Sequence, residues 1–110
     1  YARGLGNLVT VPRIASGSTS VWAQYTIRLP NGTNRDDFAA ALRAQGIPTA
    51  IYYTKSMHQQ TAYREFPVAE GGLPASERLS DDVISLPMHA YLDEATQQRV
   101  IEAVRGALSA

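Results

Sequence analysis

The sequence feature that most constrains the fold is a strict alternation of apolar and polar residues along residues 20–29. A period of two is typical of a β-strand that lays one face on a core and exposes the other, most commonly in an antiparallel sheet. The polar face carries Trp22, and we expect either solvent or another domain to cover it. The predicted core-facing residues are Val21, Ala23, Tyr25, Ile27 and Leu29.

Three helices are predicted from capping residues and from the spacing of apolar residues. The first begins at a capping-box-like pair, Thr33 and Asp36, and ends at Gly46, a residue type that suits a helix C-terminus. The second covers residues 75–83, and the third is capped by Asp93.

Further extended segments are predicted at residues 8–13, 47–53 and 84–88. Together with the helices they give the order β-β-α-β-α-β-α. The predicted fold class is α+β, a two-layer domain in which helices pack on one face of a small mixed or antiparallel sheet. At this length we expect residues 1–110 to form a single domain.

The composition excludes several classes of function. Ten basic residues balance ten acidic ones and form no run, so a nucleic-acid partner is not expected. The absence of cysteine excludes disulfides, thiolate zinc sites and a cysteine nucleophile. The apolar runs are too short to span a membrane. We separately expect a cytoplasmic protein. Because the chain begins at Tyr1 without an initiator Met, we expect it to be part of a longer polypeptide.

The densest group of polar and aromatic residues lies at residues 52–63, where a predicted strand ends and a loop begins. Side chains at strand ends and in the following loops commonly converge on ligands. Tyrosine hydroxyls, a histidine and amides can orient a hydroxylated substrate by hydrogen bonds. The alternative is a polar loop with two half-buried tyrosines and no ligand.

Individual residues do not make a complete catalytic apparatus. His58 is a candidate acid or base but has no partner at a recognisable spacing, and His89 fits a packing role at the end of an element. Lys55 lies in a polar loop, whereas a Schiff-base lysine needs a desolvated pocket. The pairs Asp81–Asp82 and Asp93–Glu94 lie near helix ends, where capping explains acidic residues. We therefore predict neither a catalytic residue nor a metal site.

Five motifs in a fixed order make a resemblance to a known family visible. The motifs are SVWAQYTI at residues 20–27, GIPTAIYY at 46–53, HQQTAY at 58–63, LPASERLS at 73–80 and SLPMH at 85–89. This series resembles the C-terminal small domain of the DegT-type sugar aminotransferases. These are pyridoxal-phosphate enzymes of fold type I that act on nucleotide-linked keto-sugars. The resemblance extends over about residues 8–108.

The resemblance implies a two-domain enzyme that works as a homodimer. Its large domain, absent from this chain, carries pyridoxal 5'-phosphate, the phosphate site and the lysine of the internal aldimine. The small domain supplies substrate contacts, here His58 first, then Tyr53, and after them Tyr52 and Gln60. Lys55 matches a lysine often found in this loop and is not the aldimine lysine. No catalytic or cofactor-binding residue is therefore expected in this chain.

The resemblance further implies that the intact enzyme transfers an amino group from an amino acid, such as glutamate, to a nucleotide-linked keto-sugar. The chain alone is expected to be inactive. It departs from the family pattern at Thr54 and Ser56, where relatives often have prolines, so the loop is expected to differ in rigidity. The alternative is a stand-alone α+β ligand-binding or protein-interaction module. A large domain encoded upstream favours the enzyme, and a start codon just before Tyr1 favours the module.

Overall fold

The computed structural model describes residues 1–109, which form α-helices, a short antiparallel sheet and one 3₁₀ turn. The helices are α1 (Ala2–Leu5), α2 (Arg35–Ala44), α3 (Pro74–Asp82) and α4 (Glu94–Ser109). The strands are β1 (Tyr25–Arg28) and β2 (Val83–Leu86), and the 3₁₀ turn covers Met57–Gln59. The predicted α+β class is confirmed.

Strands β1 and β2 pair side by side in antiparallel orientation, and their buried apolar side chains form one side of the core. Tyr25 lies opposite Leu86, and Ile27 lies opposite Ile84. All four are buried, as the period of two predicts for the second half of the alternating segment.

The sheet is extended on each side by a single antiparallel bridge. In the predicted strand 8–13 only Thr10 pairs with β1, and in the predicted strand 47–53 only Ala50 pairs with β2. Both predictions were wrong in extent. A proline lies near each bridging residue, and its missing N–H group prevents the ladder of hydrogen bonds from continuing.

The first half of the alternating segment is not a strand. Trp22 has a φ of 51°, a left-handed conformation that interrupts an extended chain. Val21, predicted to face the core, is 94% exposed. The Trp22 ring instead stacks on Tyr25 at 5.4 Å and is half-buried against the core.

Helix α2 is fixed at both ends by its own sequence. Its N-cap is Asn34, one residue after the predicted Thr33, and the Asn34 side-chain oxygen accepts the backbone N–H groups of Asp36 and Asp37. Its C-terminal glycine is confirmed: Gly46 has a φ of +73°. The two hydrogen bonds that follow form a Schellman motif, with Ile47 N–H donating to the Leu42 carbonyl and Gly46 N–H to that of Arg43.

The core lies between the sheet and the helices α1, α2 and α4. Helix α1, which was not predicted because four residues are too few to show periodicity, buries Leu5 completely. Helix α3 contributes little apolar surface, since Ser80 is its one buried residue. The fully buried large side chains are Leu5, Ile27, Leu42, Ile84 and Val104.

Tyr1 closes one side of this core. Its ring lies 4.9 Å from that of Tyr25, and its hydroxyl donates to the Pro87 carbonyl at 2.8 Å. Burial raises the pKa of Tyr1 to about 12, with a smaller effect from Tyr25. Among residues 1–109, no helix has both the length and the apolar character needed to cross a membrane.

Candidate functional site

A cleft of about 570 Å³ opens between the loop that follows Ala50 and helix α3. The loop contributes Tyr52, Tyr53, Lys55 and Gln60 to its walls, and α3 contributes Ser76. The chain leaves the sheet after the single bridge at Ala50, and the loop that follows lies beside α3 and leaves the cleft between them.

The two tyrosines form the sheet side of the cleft. Their rings meet edge to face at 5.9 Å with an interplanar angle of 77°. Tyr52 is 47% exposed and Tyr53 is 71% exposed, so both hydroxyls can reach a ligand. The Gln60 amide donates weakly to the Lys55 carbonyl at 3.4 Å, which curls the loop around the opening.

The cleft has the chemistry of a site for a hydroxylated ligand. Tyrosine and serine hydroxyls each donate and accept, the Gln60 amide does both through separate atoms, and the Lys55 ammonium only donates. The apolar side chains of Met57 and Leu79 complete the walls and offer contact to a carbon skeleton. Such a mixture can orient a polar substrate but does not by itself activate a bond.

His58 is separated from the other predicted site residues. Its Nε2 lies 2.8 Å from Oε1 of Glu77 on α3, and its side chain is only 16% exposed. It lines a second, mainly apolar cavity of about 330 Å³ together with Phe66 and Leu73. The structure thus brings Tyr52, Tyr53 and Gln60 together and leaves His58 outside the cleft.

The 3₁₀ turn explains this separation. Gln60 ends the turn by donating its backbone N–H to the Met57 carbonyl at 3.1 Å, and both residues line the cleft. His58 lies on another face of the same turn and is directed towards α3.

Three further titratable candidates, Asp82, Asp93 and His89, have structural roles. Asp82 accepts two hydrogen bonds from the Arg28 guanidinium, both at 3.0 Å. The pKa of Asp93 is lowered, first by the backbone N–H of Thr96 and then by its hydroxyl, as expected of the N-cap of α4. Nδ1 of His89 accepts the Tyr91 N–H at 3.2 Å in a local turn.

Helix α3 supplies site residues that the sequence did not reveal. Ser76 and Leu79 line the cleft, and Glu77 holds His58. The signal was weak, because Glu77 follows His58 by 19 positions and no local periodicity joins the two. The one sequence signal that relates the two residues is that His58 lies in the motif HQQTAY and Glu77 in the motif LPASERLS of the same ordered series.

Pyridoxal phosphate does not fit the residues of this chain. The cofactor requires a lysine in a desolvated pocket for its aldimine, and the only lysine in the sequence, Lys55, is an exposed residue of the loop. Gly71 and Gly72 form a turn outside the cleft and do not open a phosphate-binding helix. Within residues 1–109 no cluster of three or more metal-ligating side chains is found either.

Comparison with known proteins shows similarity over nearly the whole chain. A relative from Geobacillus stearothermophilus named "Pleiotropic regulatory protein" is 39% identical over 91% of this chain. A second, the "UDP-2-acetamido-2-deoxy-3-oxo-D-glucuronate aminotransferase" of Pseudomonas aeruginosa, is 35% identical over 87% of it. The chain spans about a quarter of the length of these relatives, at 26% and 25% respectively.

Two solved structures share the fold closely. A DegT DnrJ EryC1 StrS aminotransferase from Brucella abortus has a TM-score of 0.87 and 48% identity, with 96% of this chain and 27% of the other covered. The S. venezuelae protein DesV, solved in complex with a ketimine intermediate, also has a TM-score of 0.87, at 32% identity. It is matched over 99% of this chain and 29% of its own length.

The family resemblance read from the ordered motifs is confirmed by a direct match to the family as a whole. The description that matches residues 1–105 is "DegT/DnrJ/EryC1/StrS aminotransferase family". On this match, which leaves only the last residues of the chain uncovered, the chain belongs to the DegT/DnrJ/EryC1/StrS aminotransferase family.

Proposed function

We propose that residues 1–110 are the substrate-side small domain of an aminotransferase. The intact enzyme would transfer an amino group from an amino acid such as glutamate to a nucleotide-linked keto-sugar. The observation that carries the proposal is the polar cleft lined by Tyr52, Tyr53 and Gln60 on a chain of this family. The nucleotide-sugar names of relatives such as the P. aeruginosa aminotransferase support the substrate class.

The role of this chain in the reaction is to bind and orient the sugar. The Tyr53 hydroxyl and the Gln60 amide would hydrogen-bond ring hydroxyls, while Met57 and Leu79 contact the carbon skeleton. The amino group would be carried by pyridoxal phosphate bound outside this chain, since no residue here fits that cofactor. The chain alone is then inactive.

The remaining features of the assembly follow from the same proposal. A large domain of the same polypeptide would cover the cleft and hold the cofactor, and two copies of the complete protein would form a homodimer in the cytoplasm. Similarity over almost all of this chain but only about a quarter of its relatives supports the existence of further chain.

A second candidate is a stand-alone α+β ligand-binding or protein-interaction module. It is favoured by the regulatory name of the G. stearothermophilus relative. In that case the cleft would bind a polar ligand without chemistry.

An isotope-transfer experiment separates the two candidates. The full-length protein is incubated with glutamate labelled with ¹⁵N at its amino group and with a panel of nucleotide-linked keto-sugars. We expect ¹⁵N in an amino-sugar product and none with the 110-residue chain alone. No transfer by the full-length protein to any sugar of the panel contradicts the enzyme. Transfer by the short chain contradicts the placement of the chemistry outside it.

A further inference from the structure

The loop that lines the cleft has little internal structure to hold it in place. Between β1 and β2, residues 51–73 contain no helix or strand other than the 3₁₀ turn at Met57–Gln59. Local backbone bonds, such as Tyr63 N–H to the Gln60 carbonyl at 2.9 Å, shape short turns but do not fix their position. A connection of roughly twenty residues needs an anchor if it is to present side chains at defined places.

Two side-chain hydrogen bonds join this loop, residues 51–73, to the rest of the described chain, and both end on α3. Nε2 of His58 meets Oε1 of Glu77 at 2.8 Å, and the Ser56 hydroxyl donates to that of Ser80 at 3.4 Å. The first has a short distance and a carboxyl oxygen as its partner, whereas the second lies at the limit of a hydrogen bond. The Glu77 contact is therefore the main anchor.

Helix α3 is itself a fixed platform for this anchor. The Arg35 guanidinium of α2 donates to the Ser80 carbonyl, and Arg28 of β1 holds Asp82 at the end of α3. Both ties run to elements of the core, so Glu77 stands on a helix whose position is set by the sheet and by α2.

We propose that Glu77 is a positioning residue that latches the cleft loop through His58. Because a carboxylate only accepts, the contact requires a proton on Nε2 and so fixes both the orientation of the ring and its tautomer. With His58 held on the α3 side, the 3₁₀ turn directs Met57 and Gln60 into the cleft. His58 then acts through the loop rather than by touching the sugar.

The latch is tested in the full-length protein with Glu77→Ala, Glu77→Gln and a control, Glu70→Ala. Glu70 is an exposed carboxylate of the same loop that makes no side-chain hydrogen bond or ion pair among the described residues. Hydrogen exchange of the backbone amides at residues 57–60 is measured by mass spectrometry. We expect about tenfold faster exchange in Glu77→Ala, with Glu77→Gln within about twofold of wild type, because its amide oxygen still accepts. Glu70→Ala should match wild type.

A substitution of the other partner in this hydrogen bond, His58, is the control for a folding defect in Glu77→Ala. His58→Ala removes the same contact and must reproduce the faster exchange while leaving the exchange of α4 unchanged. The latch is overturned if both Ala variants exchange like wild type, or if Glu77→Gln exchanges as fast as Glu77→Ala.

The kinetic consequence rests on the proposed function and is measured separately. In Glu77→Ala we expect the KM for the nucleotide sugar to rise about tenfold, while kcat and the KM for the amino-acid donor stay within about twofold. An unchanged sugar KM with loosened amides would overturn the positioning role. A full-length protein without transferase activity would instead refute the proposed function, and the exchange data would still decide the latch.

Discussion

Asp93 shows how one acidic side chain at a helix start ties local structure to pH. Its Oδ1 accepts the Thr96 N–H at 2.7 Å, and this bond is the main reason for its lowered pKa. A carboxyl whose pKa is lower in the folded state stabilises the fold above its unfolded pKa of about 3.9. That contribution is lost as the pH falls through the folded pKa.

We predict that Asp93→Asn removes this pH dependence without removing the cap, because asparagine also accepts the N–H of a first turn. Urea midpoints of the 110-residue chain and of the variant should differ at pH 6 and approach each other as the pH falls below the unfolded pKa of about 3.9. A difference that stays constant from pH 6 to pH 3 would show that the carboxylate charge is not involved.

Some residues of the candidate site could be predicted from the sequence, because their place at the end of an extended segment determines where their side chains lie. Tyr52 and Tyr53 follow the bridge at Ala50, so they emerge together at the end of an extended segment, as expected. The direction of His58 was not predictable, because it depends on Glu77, 19 residues later in the sequence. A direct contact of His58 with the sugar stays a prediction, and the contact with Glu77 is the basis of the proposed role through the loop.

Helix ends and strand lengths differ in how well the sequence determines them. Helices α2 and α4 have caps and apolar stripes within their own sequence, so both were predicted with small errors in their bounds. The strands flanking the sheet were predicted too long, because a nearby proline leaves each with a single paired residue. Strand β1 begins later than the alternation predicts, because the left-handed Trp22 interrupts the extended chain. The sheet is consequently shorter than the alternation of side chains suggests.

We predict that alanine has opposite effects at two glycines near helix C-termini. Gly46 has a φ of +73°, and a Cβ there would meet Arg99 at 3.4 Å, so Gly46→Ala should destabilise by about 1 kcal/mol. Gly106 lies within α4 with open space around its missing side chain, and Gly106→Ala should stabilise by about 0.5–1 kcal/mol.

Chemical denaturation of the 110-residue chain measures both changes under one condition. The slope against denaturant should stay the same in the two variants, so that midpoints report stability directly. A Gly46→Ala variant as stable as wild type would contradict the assignment of Gly46 to a left-handed helix end, and a destabilised Gly106→Ala variant would contradict the open space at that position.

The molecule as a whole exposes more surface than a free-standing domain of its size. The described residues expose 7833 Å², whereas a monomer of 12.0 kDa is expected to expose about 6000 Å². The radius of gyration is 15.6 Å, against about 13 Å for a compact chain of this length. Many of the exposed large apolar residues, including Tyr53, Met57 and Phe66, lie on the cleft loop. This surplus supports a covering partner on that side, such as the proposed large domain.

The central claim, that the cleft holds the sugar, is tested most directly by Michaelis constants of the full-length protein. Tyr53→Phe deletes one hydroxyl from the cleft, and Tyr91→Phe deletes one from a tyrosine that is 92% exposed and outside it. We expect Tyr53→Phe to raise the KM for the nucleotide sugar about five- to tenfold and to leave the KM for the amino-acid donor unchanged. Tyr91→Phe should change neither constant. A sugar KM in Tyr53→Phe equal to that of wild type, or raised equally in Tyr91→Phe, would contradict the claim.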